Sequence, residues 1–240
     1  MTDINCFEIK DGRLIKYTGT DRHVEIPACV TAIENFAFRD CRTVESIRFP
    51  ASVTSIGHYA VSGCCSLETL EVENGNSKYF SRGNCVIDSD KRAIVLGCQS
   101  SVIPDDDSVT SIAEFAFAGC VALDSIAIPS SVKRIWDYAF DGCYNLESIS
   151  LARGLSYIGC HVFDGCEALE SIVIPDTVTY IADYAFCGCC NLKSFISSDE
   201  LVGFGVKIFD GCSDELTVIA PTEAPIADYA KQYGIKVKPI

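Results

Sequence analysis

One motif recurs along the chain about every 23 residues, and this periodicity constrains the fold more than any other feature of the sequence. Each copy has the form Ile-x-x-x-Ala-Phe-x-x-Cys, with Val or another apolar residue at some positions. The Cys positions of successive copies are Cys41, Cys64, Cys120, Cys143, Cys166, Cys189 and Cys212. A unit this short cannot bury its apolar side alone, so the copies must stack and share a core. The sequence therefore predicts an elongated solenoid of seven coils.

The two halves of each copy have different apolar spacing. The first half places its apolar residues at i, i+4, i+5 and i+8, as between Ile112 and Cys120, which fits one face of a short helix. In the second half Ile126 and Ile128 alternate with Ser125 and Ala127, which indicates a short strand with one buried face. Such strands stack into a parallel sheet with ~4.8 Å between coils. The predicted fold class is therefore α/β.

The Phe and Cys positions are expected to form columns inside this stack. Each buried Phe or Ile stabilises the fold by ~1.5–3 kcal/mol, so the Phe column is the expected main source of stability. A free Cys at such a position acts as a small apolar residue. The predicted core consists of the seven cysteines of the motif and of Phe38, Phe117, Phe140, Phe163, Phe186 and Phe209.

The remaining segments predict caps and an insertion within a single domain, residues 1–240. We assign 1–23 to an N-terminal hairpin around Asp11-Gly12, 24–219 to the seven repeats, and 220–240 to a C-terminal cap of helix and strand. The second and third copies are 56 residues apart, one period plus an insertion of 33. This insertion hairpin, 73–105, repeats the N-terminal pattern, and we expect it to lean off the sheet. It is either a recognition flap or a decoration that adds stability.

The run from Val132 to Ile149, Val-Lys-Arg-Ile-Trp-Asp-Tyr-Ala-Phe-Asp-Gly-Cys-Tyr-Asn-Leu-Glu-Ser-Ile, resembles the BspA-type leucine-rich repeat of bacteria and protists. Related copies extend from residue 24 to about 219. The resemblance implies a right-handed leucine-rich-repeat solenoid, with a parallel sheet on the concave side and short helical turns opposite. It also implies a role in adhesion or protein interaction. The commoner leucine-rich consensus places Asn or Cys after Leu-x-Leu, whereas here the Cys precedes the strand.

The charge balance excludes some classes of partner. The formal net charge is −14, and nucleic acid or anionic membrane binding requires clustered Lys and Arg. No apolar stretch approaches the length of a membrane span, so we expect no membrane insertion. The residues from Met1 to Glu8 lack the features of a secretory signal. We expect a cytoplasmic protein if the sequence is complete, and a secreted or cell-surface protein if it is an excised piece.

The fifteen cysteines and three histidines raise the question of metal or catalytic chemistry. Side chains in a column point the same way rather than at each other, and the count is odd, so we expect reduced thiols. Cys187 and Cys190 form one Cys-x-x-Cys pair, but structural zinc requires four converging ligands. His161 occupies a column otherwise filled by aromatic residues, which indicates partly exposed packing. Because catalytic motifs are also missing, we expect no catalytic residue, no metal and no cofactor.

The outward positions of the strands form columns on the expected concave face. The first column contains Glu45, Glu68, Asp124, Glu147, Glu170 and Lys193, the second contains Ser or Thr, and the third includes Arg48, Glu71, Val173 and Ile196. Stacked carboxylates repel one another, and a basic partner or a divalent cation would relieve this repulsion. Alternatively, the column is a solvated strand edge that was copied by duplication of the repeat. The third column changes from charged to apolar, which suggests partner binding around Val173 and Ile196.

These observations predict a non-enzymatic scaffold for protein–protein interaction that presents an acidic, Ser-rich concave surface. The alternative is a cell-surface adhesin that binds host or matrix proteins. A second alternative, an enzyme or metal-binding scaffold, would use the Cys-rich coils, and a third is a purely structural module within a larger assembly. The partner is a protein of unknown identity, and a monomer is favoured.

Overall fold

A computed structural model describes residues 2–240. The chain winds into a β-solenoid in which each coil contributes a long strand of three or four residues and a short strand of two. The long strands are His23–Glu25, Ser46–Phe49, Thr69–Val72, Ser125–Ile128, Ser148–Leu151, Ser171–Val173, Ser194–Ile196, Thr217–Ile219 and Lys236–Lys238. The short strands are Ala32–Ile33, Ser55–Ile56, Ser111–Ile112, Arg134–Ile135, Tyr157–Ile158, Tyr180–Ile181 and Gly203–Phe204.

Strands of successive coils pair in parallel with a register of one repeat. Ser125 lies opposite Ser148 in the long strands, and Ile135 lies opposite Ile158 in the short ones. The stack is longer than the predicted seven coils, because the N-terminal hairpin, the insertion and the C-terminal segment also add strands to it. The solenoid is therefore built from two series of parallel strands, where the sequence predicted one.

The prediction of a short helix between the Ile and the Cys of each repeat is wrong, because the chain forms tight turns there. Within residues 2–240 the only α-helix is Pro225–Gln232, and a 3-10 turn covers Ile4–Cys6. Two positions of each repeat have positive φ, as at Tyr138 with φ 58° and Gly142 with φ 67°, which a right-handed helix does not permit. Backbone N–H groups of these turns bond to the next coil instead: Phe140 N–H donates to the Val162 carbonyl at 2.9 Å.

The apolar residues of both strand series meet in the interior. All six Phe of the predicted column are buried, with exposed fractions of 0–7%. Cys64, Cys143, Cys166 and Cys189 are buried beside them, whereas Cys41, Cys120 and Cys212 are only half-buried. Burial of these rings and thiols within one stack follows from the fixed phase of the motif.

The insertion does not lean off the solenoid. It forms the antiparallel strands Tyr79–Arg82, Cys85–Asp88 and Ala93–Leu96, and the last of these pairs in parallel with Ser111–Ile112. Ile87 and Ile94 are completely buried. The N-terminal strands Phe7–Lys10 and Arg13–Tyr17 are arranged similarly, since Arg13–Tyr17 pairs in parallel with Ala32–Ile33. Both hairpins thus begin a run of short strands.

The C-terminal segment closes the other end. The helix Pro225–Gln232 buries Ile226, Ala227 and Ala230 against the last coils, and Gly234 ends it with φ 72°. Glycine adopts this left-handed conformation without the strain of a Cβ. Lys236–Lys238 then pairs in parallel with Thr217–Ile219.

Candidate functional site

The outward residues of the long strands form a surface that we call the long-strand face. Most of its predicted positions are exposed; Glu45 and Ile196 are half-exposed. The exposed members are Arg48, Glu68, Glu71, Asp124, Glu147, Glu170, Val173 and Lys193. Alternation along each strand produces this arrangement, because Ile47 and Ile172 point into the core while their neighbours point out.

Cations neutralise the ends of the acidic column but not its middle. Arg22 pairs with Glu45 at 2.9 Å, and Lys193 pairs with Glu170 at 3.3 Å. In the third column Arg48 approaches Glu71 at 3.8 Å. Among the described residues, Glu68, Asp124 and Glu147 form no ion pair. The unpaired negative charge therefore lies in the middle of the face.

The face is not one continuous sheet. Within residues 2–240, the long strand Thr69–Val72 has no backbone pairing with Ser125–Ile128, because the insertion intervenes. The ladder is also interrupted between Ser148–Leu151 and Ser171–Val173. The structure therefore does not bring together all the carboxylates that the sequence placed in one column with ~5 Å spacing.

The C-terminal part of the third column is apolar. Val173 lies opposite Ile196, which lies opposite Ile219 in the paired strands. Val173 is 59% exposed, although it is a β-branched apolar residue. Ser171 and Ser194 run beside this row, and Glu170 with Lys193 borders it. We call Val173, Ile196 and Ile219 the apolar row; an apolar strip with a polar rim is typical of the centre of a protein interface.

A second surface feature is a stack of rings in the tight turns. Phe36, Tyr59, Phe115, Tyr138, His161 and Tyr184 follow one another with centroids 4.8–5.2 Å apart. Arg39 lies 5.5 Å from the ring centre of Phe36 at one end, and Lys207 lies 6.0 Å from that of Tyr184 at the other. His161 is half-buried within the stack and bonds to Asp164 at 2.7 Å, so the packing role predicted for it is confirmed.

The stack crosses the insertion, which the sequence did not reveal. Tyr59 and Phe115 are 5.1 Å apart although the insertion separates them in sequence. The Tyr59 hydroxyl donates to Asp141 Oδ2 at 2.5 Å. Burial raises the pKa of Asp141, and burial together with this hydrogen bond raises the pKa of Tyr59. In the sequence, the signal for this stack is the ring residue that recurs two positions before the Phe of most Phe-x-x-Cys motifs.

The cysteine column has a defined geometry. Cys143 Sγ donates to the Phe117 carbonyl of the preceding coil at 3.2 Å, and Cys189 does the same to Phe163 at 3.2 Å. No disulfide joins any of the fifteen cysteines in the structure of residues 2–240. In the part of the chain that the structure describes, no three His, Cys, Asp or Glu side chains converge in a way that could hold a metal ion. The geometry of this column serves packing and hydrogen bonding.

No helix within residues 2–240 combines the length and apolar character needed to cross a bilayer.

Comparisons with known proteins agree with this geometry. The family model described as "BspA type Leucine rich repeat region" matches residues 16–84 and 96–215 in six copies. A comparison with curated proteins gives no match.

Several solved structures have a similar fold. The pneumococcal vaccine antigen PcpA superposes with a TM-score of 0.63 and 19% identity, over 91% of this chain and 68% of that one. The T. pallidum leucine rich repeat protein has a TM-score of 0.53 and 25% identity, over 99% and 97%. A leucine-rich repeat protein from Eubacterium ventriosum has a TM-score of 0.65 and 23% identity, over 82% and 54%.

Proposed function

The chain belongs to the BspA-type leucine-rich repeat family, and from that premise we propose that it is a non-enzymatic scaffold that binds a protein partner through its long-strand face. The observation that carries the proposal is the apolar row. Solvation of Val173 at 59% exposure is unfavourable, and a partner that covered the row would remove this apolar surface from water. The fold supplies a rigid surface on which such a row is preorganised.

The carboxylates of the face support selectivity for the partner. Asp124 and Glu147 are exposed and form no ion pair within residues 2–240. They immediately precede Ser125–Ile128 and Ser148–Leu151, the two strands before the interruption next to the apolar row. Complementary charge at the rim of an interface accelerates association and disfavours wrong partners. We therefore propose an apolar contact at the row and a basic patch on the partner opposite the carboxylates. A monomeric scaffold with a single domain, residues 1–240, is sufficient for this role.

The test replaces the exposed apolar atoms of the row by charge. A benzophenone amino acid at Ser171 would first capture the partner in extracts of the native host, and the purified partner would then be titrated against variants. The double variant Val173→Asp, Ile196→Asp should weaken binding at least about tenfold, since charge would be buried unpaired in the contact.

The matched control is Val202→Asp, Val206→Asp, which adds the same two charges at exposed valines outside the long strands. The control should bind within about twofold of the unmodified chain. Equal binding by all three proteins would exclude the apolar row as the contact.

The second candidate is a cell-surface adhesin for host or matrix proteins. The similar fold of the pneumococcal vaccine antigen PcpA motivates this candidate, and at 19% identity the likeness shows the fold alone. The two candidates predict different thiol chemistry, because disulfides persist outside the cell and are rare in the cytosol. A thiol titration in denaturant, on protein purified anaerobically from its host, should give about fifteen free thiols for an intracellular scaffold. A count near one would favour the adhesin.

A further inference from the structure

The short strands are interrupted where the insertion enters, and a cleft of about 940 Å³ lies at that point. Ser55–Ile56 is the last strand of its sheet and pairs only with Ala32–Ile33 among the described strands. On the other side of the cleft Ala93–Leu96 and Ser111–Ile112 belong to a separate sheet. This cleft is on the short strands, and none of the residues that line it belongs to the long-strand face.

Ser55–Ile56 presents an unpaired backbone edge to this cleft. Gly57 N–H donates to the Ile33 carbonyl at 2.8 Å, so the Ile56 carbonyl of the same trans peptide unit points the opposite way. The corresponding carbonyls of Ile112 and Ile135 accept N–H groups of the next coil at 3.0 and 2.9 Å. Among residues 2–240, no donor reaches the Ile56 carbonyl.

Side chains replace the missing coil only in part. The Thr54 carbonyl accepts Lys78 Nζ at 2.7 Å and the Tyr79 hydroxyl at 3.4 Å, in place of a backbone N–H. The Ile56 side chain is half-buried, whereas its equivalents Ile112 and Ile135 are fully buried. The vacancy in the ladder therefore lies at Ile56, beside a Thr54 carbonyl that side chains already satisfy.

The walls of the cleft are basic although the protein is strongly acidic. Lys78, Lys91, Lys133 and Arg134 line it, and in the described chain none of them takes part in an ion pair. The carboxylates in its lining are Asp88 and Glu114. Asp88 is 2% exposed, and its Oδ1 accepts the backbone N–H groups of Asp90 and Lys91, so part of its charge is already engaged. Cations therefore dominate the accessible wall.

We propose that this cleft binds an extended acidic peptide segment of a protein partner. The segment pairs with the Ile56 backbone, as a strand added to an open sheet edge, and its carboxylates lie against the four cations. An unpaired strand edge recognises a polypeptide backbone, which a sulfated glycan does not possess. This binding site is separate from the long-strand face of the proposed function.

The probe is a fluorescein-labelled hexapeptide, Glu-Val-Glu-Val-Glu-Val, followed by anisotropy at low salt. Its Gln counterpart, Gln-Val-Gln-Val-Gln-Val, should bind at least about tenfold more weakly, and added salt should lower the affinity of the acidic peptide. The variant Lys91→Glu, Lys133→Glu should lose at least about tenfold in affinity. The matched control Lys10→Glu, Lys16→Glu makes the same charge change at two exposed lysines of the N-terminal hairpin and should stay within about twofold.

Amide chemical shifts distinguish strand addition from charge attraction alone. Binding of the acidic peptide should shift the Ile56 amide resonance, and methylation of alternate peptide nitrogens should abolish the shift and weaken binding. The row variant Val173→Asp, Ile196→Asp should keep full affinity for the peptide, so this test and that of the proposed function can fail independently.

Any one of three results would overturn the proposal: no binding at about 1 mM peptide, equal loss in the control variant, or preference for a heparin oligosaccharide of similar charge over the peptide.

Discussion

Cysteine suits its position in the repeat because it is both small and a weak donor. In five of the seven repeats, Cys64, Cys143, Cys166, Cys189 and Cys212 donate from Sγ to the Phe carbonyl of the coil before, at 3.0–3.4 Å. Ala would leave that buried carbonyl without this contact, and Ser would bring a stronger desolvation penalty. Burial raises the pKa of Cys143 and Cys166, so these groups stay thiols at neutral pH.

This shift predicts a specific dependence of stability on pH. Between its ordinary pKa of about 9 and the raised native pKa, Cys143 loses its proton only on unfolding, so the stability it contributes is present below pH 9 and is lost as pH rises. Cys143→Ala should therefore reduce the alkaline slope of the free energy of unfolding by ~1.4 kcal/mol per pH unit. Urea melts between pH 8 and about 11 measure the slope.

The exposed Cys65 provides the control, since Cys65→Ala should leave the slope unchanged. An unchanged slope in Cys143→Ala as well would show that Cys143 is accessible to solvent in the native state.

At the scale of elements, the sequence predicted the strands of the second half of each repeat better than the turns of the first half. Alternation of Ile126 and Ile128 with outward residues is a local signal, and it persists in the long strand Ser125–Ile128. The i, i+4, i+5, i+8 spacing was misleading because Phe115 and Tyr138 adopt φ near 60°. An aromatic residue in the sequence gives no sign of this left-handed conformation, which is usually adopted by Gly or Asn. Their backbone partners lie in the next coil, beyond any local pattern.

The insertion shows the same limit. Its sequence indicated a hairpin related to the N-terminal one, but not which residues face which core. Ile94 packs in the core cluster that continues to the C-terminus, whereas Leu96 of the same strand packs in the cluster of the N-terminal coils. The strand therefore contributes buried side chains to both clusters and connects them.

Truncation of either side chain should therefore destabilise the protein more than a surface decoration would. We expect Ile94→Ala and Leu96→Ala each to lower the free energy of unfolding by about 2–5 kcal/mol in urea melts. Val102→Ala, at a position of the insertion that is 70% exposed, should change it by less than about 0.5 kcal/mol. Values below about 1 kcal/mol for both core variants would show that the insertion adds little stability and would favour its alternative role as a recognition flap.

At the scale of the whole molecule, the interior divides into two clusters of buried residues on either side of the insertion. Phe38 and Val53 belong to the first, and Phe140 and Phe186 to the second. In a solenoid each coil contacts only its neighbours, so the effect of a substitution should decline along the stack. The apolar row and the Ile56 edge of the cleft would then be held by units of different stability.

Native-state hydrogen exchange can separate these units. Phe140→Ala should destabilise its own cluster by ~3–5 kcal/mol, because Phe140 is completely buried, and should reduce amide protection from about residue 112 onward. Protection of the coils around Phe38 should fall less. Tyr144→Ala, at a half-exposed ring of the same coil, should change neither region. A uniform loss over both clusters would mean that the stack unfolds as one unit.

The parallel junction of Ala93–Leu96 with Ser111–Ile112 has the form of the junction of Arg13–Tyr17 with Ala32–Ile33. The chain therefore contains two starting points for a run of coils and one closing helix. A gene that gained or lost a 23-residue unit on either side of residues 73–105 would leave both starting points and the closing helix intact. Units gained or lost after Ser156, the last residue that lines the cleft at Ile56, would change the length of the C-terminal run of coils and leave the walls of the cleft in place.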